Sequence, residues 1–321
     1  MLASFASAQE VTDANGLHFH LTAEKHTAEL TFLATDSTNA TAYAGELNVP
    51  SSVTVDGQAY AVTGVTQLAC SWCDALASVT LPEGVDHIGL GAFSDCSRLS
   101  QVTLPSSLTA IHDLAFYRDS SLTEISIPGG VRRLGACSFA YCQHLDSVTL
   151  QASLHSIAYN SFYYCTALRS LVMPETLQAI GENAFAYCTG LEQIIMLGRP
   201  VAITPDVFRG VDIANCRLIV PSNCIEDYRE MEVWRDFMIV DGGFEDLPDM
   251  EQDEAGELFT LEVIGGELVI TVKGDAPALV YDLMGRRIAV CDSLSGENRI
   301  PLARGREYII RCSTRSQVIA Y

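Results

Sequence analysis

Phenylalanine stands at Phe93, Phe116, Phe139, Phe162, Phe185 and Phe208, each step 23 residues. Other columns keep the same phase. A leucine column runs through Leu76, Leu99, Leu122, Leu145, Leu168 and Leu191. An apolar pair follows as Val79/Leu81, Val102/Leu104, Ile125/Ile127, Val148/Leu150, Leu171/Met173 and Ile194/Met196, with Pro82, Pro105, Pro128 and Pro174 just beyond it. Two further columns, Val85 to Leu177 and Ile88 to Ile180, complete the unit. A unit this short cannot bury its own apolar face. Stacked units bury each other's faces, so the chain must form a solenoid. The apolar pair reads as a short strand that proline ends, and successive strands should pair in parallel about 4.8 Å apart.

The stretch from Leu76 to Cys96, "LASVTLPEGVDHIGLGAFSDC", resembles the BspA-like leucine-rich repeats of bacterial cell-surface proteins. The resemblance spans about Val62 to Val211. "GQAYAVTGV" is similar to the entry segment of that family, and the stretch from Leu218, "LIVPSNCIEDYREMEVWRDFMIV", to its exit cap. Tyr228, Trp234 and Phe237 are expected on the apolar face of one short closing helix. The resemblance implies adhesion and protein binding rather than catalysis.

The flanks differ in character. Residues 1–9, "MLASFASAQ", read as the end of a secretory signal, with Ala6-Ser7-Ala8 as the small-x-small site; a frayed terminus is the plain alternative. Residues 10–61 alternate polar and apolar and read as an N-terminal β cap of antiparallel strands. The solenoid and its exit cap fill 62–240. Residues 241–257 carry eight acids in seventeen positions and read as a solvated linker. Residues 258–321 return to strand-like alternation, a small β-sandwich of six or seven strands. Part of it, "VYDLMGRRI" onward, resembles the C-terminal sorting domains of type IX secretion. The chain closes on "QVIAY" without the usual basic residue, and a retained Ig-like module is the other reading. The expected class is α+β, mostly β: a leucine-rich-repeat solenoid between a β cap and a small sandwich.

With 40 acidic against 19 basic residues the net charge is −21, which disfavours nucleic acid and anionic lipid as partners. No apolar run reaches the roughly 18 residues of a membrane span. Localisation is expected to be secreted or cell-surface, associated with the outer membrane.

Cys73, Cys96, Cys142, Cys165 and Cys188 form a column three residues after the phenylalanine position; Asp119 replaces it in one coil, and Cys70 holds the first phenylalanine slot. One residue per coil gives parallel side chains, which suits neither disulfide torsion nor convergent metal ligation. Buried free thiols acting as small apolar fillers are expected, against one inter-coil bridge or a metal site. His87, His112, His144 and His155 fall at variable positions, expected to face solvent. No catalytic constellation, phosphate cradle or cofactor is legible.

Two surfaces remain. Trp72, Tyr141, Tyr164 and Tyr187 share a column with Asp95 and Arg118, and Tyr117 and Tyr163 lie beside it. Stacking gathers these rings into a ridge, and tyrosine offers large contact area at low entropy cost; covering the turn above the cysteines is the plain alternative. The outward side of the strand carries Thr80, Thr103, Ser126 and Thr149 in its central column, with Gln101 and Glu124 in the one before it. These hydroxyls suit a peptide or a glycan. The expected function is a non-catalytic adhesion or protein-binding protein acting on host or neighbouring-cell macromolecules. A carbohydrate-binding or polysaccharide-processing accessory is the alternative, and a purely structural spacer a third.

Overall fold

The structure, a computed structural model, describes residues 9–32, 43–151, 153–243 and the strands between 259 and 320. The signal-like segment before Gln9 and the acidic linker beyond residue 243 lie outside the described residues.

The repeat closes into coils with two parallel ladders. The first holds the apolar pair of each unit. Gly45–Asn48, Leu76–Thr80 and Gln101–Thr103 pair in one run. Glu124–Ile127, Ser147–Leu150, Ser170–Met173, Gln193–Met196, Arg217–Val220 and Met238–Asp241 pair in a second. Each strand in front of a proline stops before it, as the missing N–H requires. The second ladder was visible in sequence only as a column. His87–Ile88, Ala110–Ile111, Arg133–Leu134, Ser156–Ile157 and Ala179–Ile180 are two-residue strands that pair coil to coil.

The N-terminal strands extend this second ladder. Gln9–Thr12, His18–Thr22 and Thr27–Thr31 form an antiparallel meander. Thr27–Thr31 then runs parallel to Gln58–Val65, which passes the ladder to His87–Ile88. Phe19, Leu21, Ala28 and Leu30 are buried in a core continuous with that of the coils. The end coil is thereby shielded from water.

The third side of each coil is a turn built on two columns of left-handed backbone. Leu68, Leu114, Cys137, Asn160 and Asn183 have φ between 55° and 61°. Trp72, Asp95, Arg118, Tyr141, Tyr164 and Tyr187, four residues later, have φ between 60° and 66°. Gly91 and Gly210 fill the same two columns where a glycine is present. Non-glycine residues adopt this conformation at a cost of about 1–2 kcal/mol each. It aims alternate amides at the next coil: Asn160, Phe162 and Tyr164 donate to the carbonyls of Glu182, Ala184 and Ala186 at 3.0, 2.8 and 2.9 Å. The amides that follow the last two, Tyr163 and Cys165, donate within their own turn. The coils that begin this turn at Leu68, Gly91, Leu114, Cys137 and Asn160 each hand three hydrogen bonds to the next along an edge that is not a strand.

Inside the turn the phenylalanines form a continuous stack. Phe93, Phe116, Phe139, Phe162 and Phe185 are fully buried. Their centroids lie 5.3–5.4 Å apart with planes within 8°. Phe208 continues the stack, and Trp234 and Phe237 close it edge-on at 5.6 and 5.2 Å. Contrary to the sequence expectation, those two rings and Tyr228 do not share one helix. Tyr228 lies in the helix Ile225–Glu230, Trp234 in a separate 3-10 turn and Phe237 beyond it. Tyr228 Oη donates to the Gly198 carbonyl and Trp234 Nε1 to that of Val201, at 2.8 and 2.7 Å. Two anchored rings hold this cap without a long helix.

The cysteine column is a ladder of donors. The thiols of Cys96, Cys142, Cys165 and Cys188 each donate at 3.1 Å to a carbonyl one coil back, those of Cys70, Phe116, Phe139 and Phe162. No disulfide occurs among the described cysteines. Burial pushes these thiols up, Cys188 to about 12. Asp119 sits wholly buried in the column's missing rung. Its Oδ1 accepts the Cys96 amide at 2.8 Å, and burial raises its carboxyl well above the usual range.

The histidine expectation fails at His87. Glu29, Gly64 and His87 occupy one row across three parallel strands. A Cβ on Gly64 would stand 2.1 Å from the His87 ring, so the imidazole lies over bare backbone. From there Nε2 reaches Glu29 at 3.4 Å and Nδ1 reaches Asp86 at 2.5 Å. The hydrogen bond that His87 donates to Glu29, opposed by burial and aided by Asp86, lifts His87 to about 9. It pins the N-terminal sheet to the first coil. His155 is half-buried with Nδ1 2.6 Å from the Ser153 carbonyl, whereas His112 and His144 are exposed.

In the C-terminal region Phe259–Ile264, Glu267–Val272 and Glu297–Pro301 form one antiparallel sheet. Ala278–Asp282, Arg287–Cys291, Glu307–Cys312 and Arg315–Ala320 form a second. Leu268, Ile270, Val280 and Ile310 are buried.

Replacing Phe139 by Ala removes the middle of a five-ring run. It is expected to cost about 3–5 kcal/mol in chemical denaturation, whereas a surface change such as Arg169→Ala should stay within about 0.5 kcal/mol.

His87 makes stability depend on pH. Its folded pKa lies above its unfolded value near 6.5, so the clamp's contribution is complete below about 6.5 and is lost as pH rises through about 9. A His87→Gln variant should lose about 1 kcal/mol at pH 6, after screening of a partly exposed pair. It should match the parent at pH 10, read from urea midpoints at both pH values.

Candidate binding surface

The left-handed turn displays its side chains along one edge of the solenoid. Five of the six aromatic candidates meet there. Tyr117 packs edge-on against Tyr141 at 5.7 Å, and Tyr141 meets Tyr163 and Tyr164 at 5.4 and 5.6 Å. Tyr187 closes the cluster against both, at 5.5 and 5.7 Å. Tyr164 is exposed, and Tyr117, Tyr141, Tyr163 and Tyr187 are half-buried. Each ring therefore leans on its neighbours and keeps a free face. Desolvation, aided by the adjacent phenols of Tyr141, Tyr187 and Tyr164, holds the Tyr163 hydroxyl above its ordinary range and therefore neutral.

Trp72 does not join the cluster. It is 53% exposed, and its column neighbours Asp95 and Arg118, 3.6 Å apart, separate it from the tyrosines. The edge is thus divided into an isolated tryptophan, an ion pair and a tyrosine cluster. Sequence reasoning missed two features of this edge. Gly210 occupies the next left-handed position after Tyr187, and a Cβ there would stand 2.7 Å from the Tyr187 ring. Its bare backbone lets that ring lie flat, with the exposed Arg209, paired to Asp206, beside it. Leu68, Leu90 and Leu114 are also exposed on the same turn, an apolar strip at the Trp72 end. The 23-residue spacing from Tyr187 to Gly210 was the available signal for the first; leucine in a left-handed position gives none for the second.

The strand face divides as well. Thr80, Gln101, Thr103, Glu124 and Ser126 are exposed along three successive strands. Thr149, expected to continue them, is buried at 6%. So are Val172, Ile195 and Ile219, which hold the same outward position in the following strands. The open hydroxyl face therefore stops at Ser126. The strand Arg315–Ala320 of the C-terminal region lies against Ser147–Leu150.

A cleft of about 390 Å³ opens beside the strand Gly45–Asn48, lined in part by Asn15, Leu17, Tyr43 and Glu46. No group of three metal-ligating side chains converges among the described residues. No described helix is long and apolar enough to cross a membrane.

A coiled repeat with a phenylalanine stack, a thiol ladder and proline-ended strands is the architecture of a leucine-rich repeat protein. The chain belongs to the BspA type leucine-rich repeat family, whose repeat description matches in six copies over residues 63–192 and 109–228. Among solved structures it is similar to a leucine-rich repeat protein from Bacteroides ovatus ATCC 8483. That protein is 23% identical over 73% of this chain and 67% of that chain, with a TM-score of 0.45. A leucine-rich repeat protein from Bacteroides capillosus ATCC 29799 is 31% identical over 44% of this chain and 96% of its own, with a TM-score of 0.37. The T. pallidum leucine-rich repeat protein is 22% identical, covering 74% and 83%, with a TM-score of 0.41. No curated protein matches the chain.

Proposed function

We propose that this protein is a non-catalytic, secreted or surface-displayed binding protein that engages a macromolecular partner through its tyrosine edge. One observation carries the reading: Tyr117, Tyr141, Tyr163, Tyr164 and Tyr187 form a single connected cluster on the turn side of consecutive coils. The turn backbone and the phenylalanine stack fix their positions, so little freedom is lost on contact, and rigid aromatic area of this kind concentrates binding energy. Arg209 and the Asp95–Arg118 pair give the cluster a polar rim. Host or neighbouring-cell proteins are the partner class. The acidic chain argues for a partner whose surface is not strongly negative.

The second reading, a carbohydrate-binding or polysaccharide-processing accessory, is favoured by the open face of Thr80, Gln101, Thr103, Glu124 and Ser126. Small hydroxyls beside an amide and a carboxylate can exchange hydrogen bonds with a sugar.

A binding screen of the full chain against matrix proteins and a glycan array separates the two. Protein hits that weaken at least tenfold in a Tyr141→Ala/Tyr164→Ala/Tyr187→Ala variant, with far-UV circular dichroism unchanged, are the expected outcome. Glycan hits alone, lost in Thr103→Ala/Ser126→Ala and insensitive to the tyrosines, would replace the first reading with the second. Protein hits untouched by the tyrosine changes would exclude the ridge as the binding surface.

A further inference from the structure

The central outward column of the first ladder changes character along the solenoid. It reads Thr80, Thr103, Ser126, Thr149, then Val172, Ile195, Ile219. The first three are exposed and the last four buried. Side chains alternate across a strand, and the inward partners are easily identified. Leu171, Met173, Ile194, Met196, Leu218 and Val220 all belong to the continuous core of the coils. Val172, Ile195 and Ile219 are as deeply buried but are not part of that core. They therefore point out of the solenoid, and what covers them comes from outside the coils. The strand Arg315–Ala320 lies against Ser147–Leu150, at the near edge of this apolar step.

We propose that the C-terminal module, residues 259–320, is an intramolecular partner of the solenoid, seated on the apolar step made by Val172, Ile195 and Ile219. Residue type and burial change within one coil of each other, between Ser126 and Val172. An outward β-branched aliphatic in three successive strands is a liability on a free solenoid and an asset under a cover. The tether supports seating: a short acidic segment keeps the module at an effective concentration near millimolar, so modest affinity suffices to hold it. The module then remains a fixed part of the fold. It takes up the C-terminal half of the strand face and leaves only Thr80, Gln101, Thr103, Glu124 and Ser126 free for a ligand.

The full chain carrying a protease site between Glu245 and Asp253 tests this. It is folded first, cleaved second and passed over a sizing column at micromolar concentration. The two pieces are expected to elute together. In Val172→Thr/Ile195→Thr they are expected to separate, with apparent Kd raised at least tenfold. Threonine already holds this column in other coils, so the solenoid should keep its circular dichroism. Ile195→Lys, which sets an ammonium under the module, should separate them as well. Separation of the unsubstituted pieces would overturn the proposal, as would continued co-elution in the threonine pair.

Discussion

Each coil depends on its neighbour at the turn. There the aromatic stack and the left-handed backbone are two parts of one device. A stack spacing near 5.4 Å is wider than the strand spacing of about 4.8 Å. The turn accommodates this by hydrogen-bonding through alternate amides instead of a regular strand. That geometry demands two left-handed residues per coil, a demand that leucine, tyrosine and tryptophan meet only at a cost. Burial of a whole phenylalanine, about 1.5–3 kcal/mol, with ring contact worth about 0.5–1.5 kcal/mol more, offsets it. The thiol one turn later completes the device by satisfying the carbonyl of the preceding coil. Where Asp119 replaces it, the carboxyl accepts the Cys96 amide instead.

The same strain produces the candidate site. A left-handed residue turns its side chain off the coil, away from the stack. Trp72, Asp95, Arg118, Tyr141, Tyr164 and Tyr187 hold this outward position, from the exposed Trp72 to the half-buried Asp95, Tyr141 and Tyr187. Architecture is held in the repeated residues and the proposed recognition surface in the unrepeated ones, and the turn geometry links the two.

The stack, the leucine and cysteine columns and the strand pairs were legible in sequence because each needs an apolar side chain at a fixed interval. The left-handed columns were not. Leucine, tyrosine, tryptophan, arginine and cysteine hold most of their positions and avoid this conformation in isolation, while the permissive Gly91, Asn160, Asn183, Asp95 and Gly210 are scattered over both columns and mark neither. The clamp at His87 was hidden for another reason: its partner Glu29 lies in the N-terminal sheet, reached across Gly64, and a repeat carries no information about a neighbour outside it. Thr149 failed similarly. Its residue type continues the hydroxyl column, while its burial depends on a distant segment. The signal that could have corrected it, the change to Val172, Ile195 and Ile219, was present in the column itself.

In this structure the cysteine column is a reduced, hydrogen-bonded ladder closed beneath the phenylalanine stack. Thiol labelling of the native protein without reductant, followed by peptide mass spectrometry and repeated in denaturant, tests it most directly. Cys96, Cys142, Cys165 and Cys188 should remain unlabelled in the native state and become fully labelled only on global unfolding, while half-buried Cys137 reacts early. Rapid native labelling of Cys142 or Cys165, or disulfides joining column cysteines in the denatured sample, would contradict it.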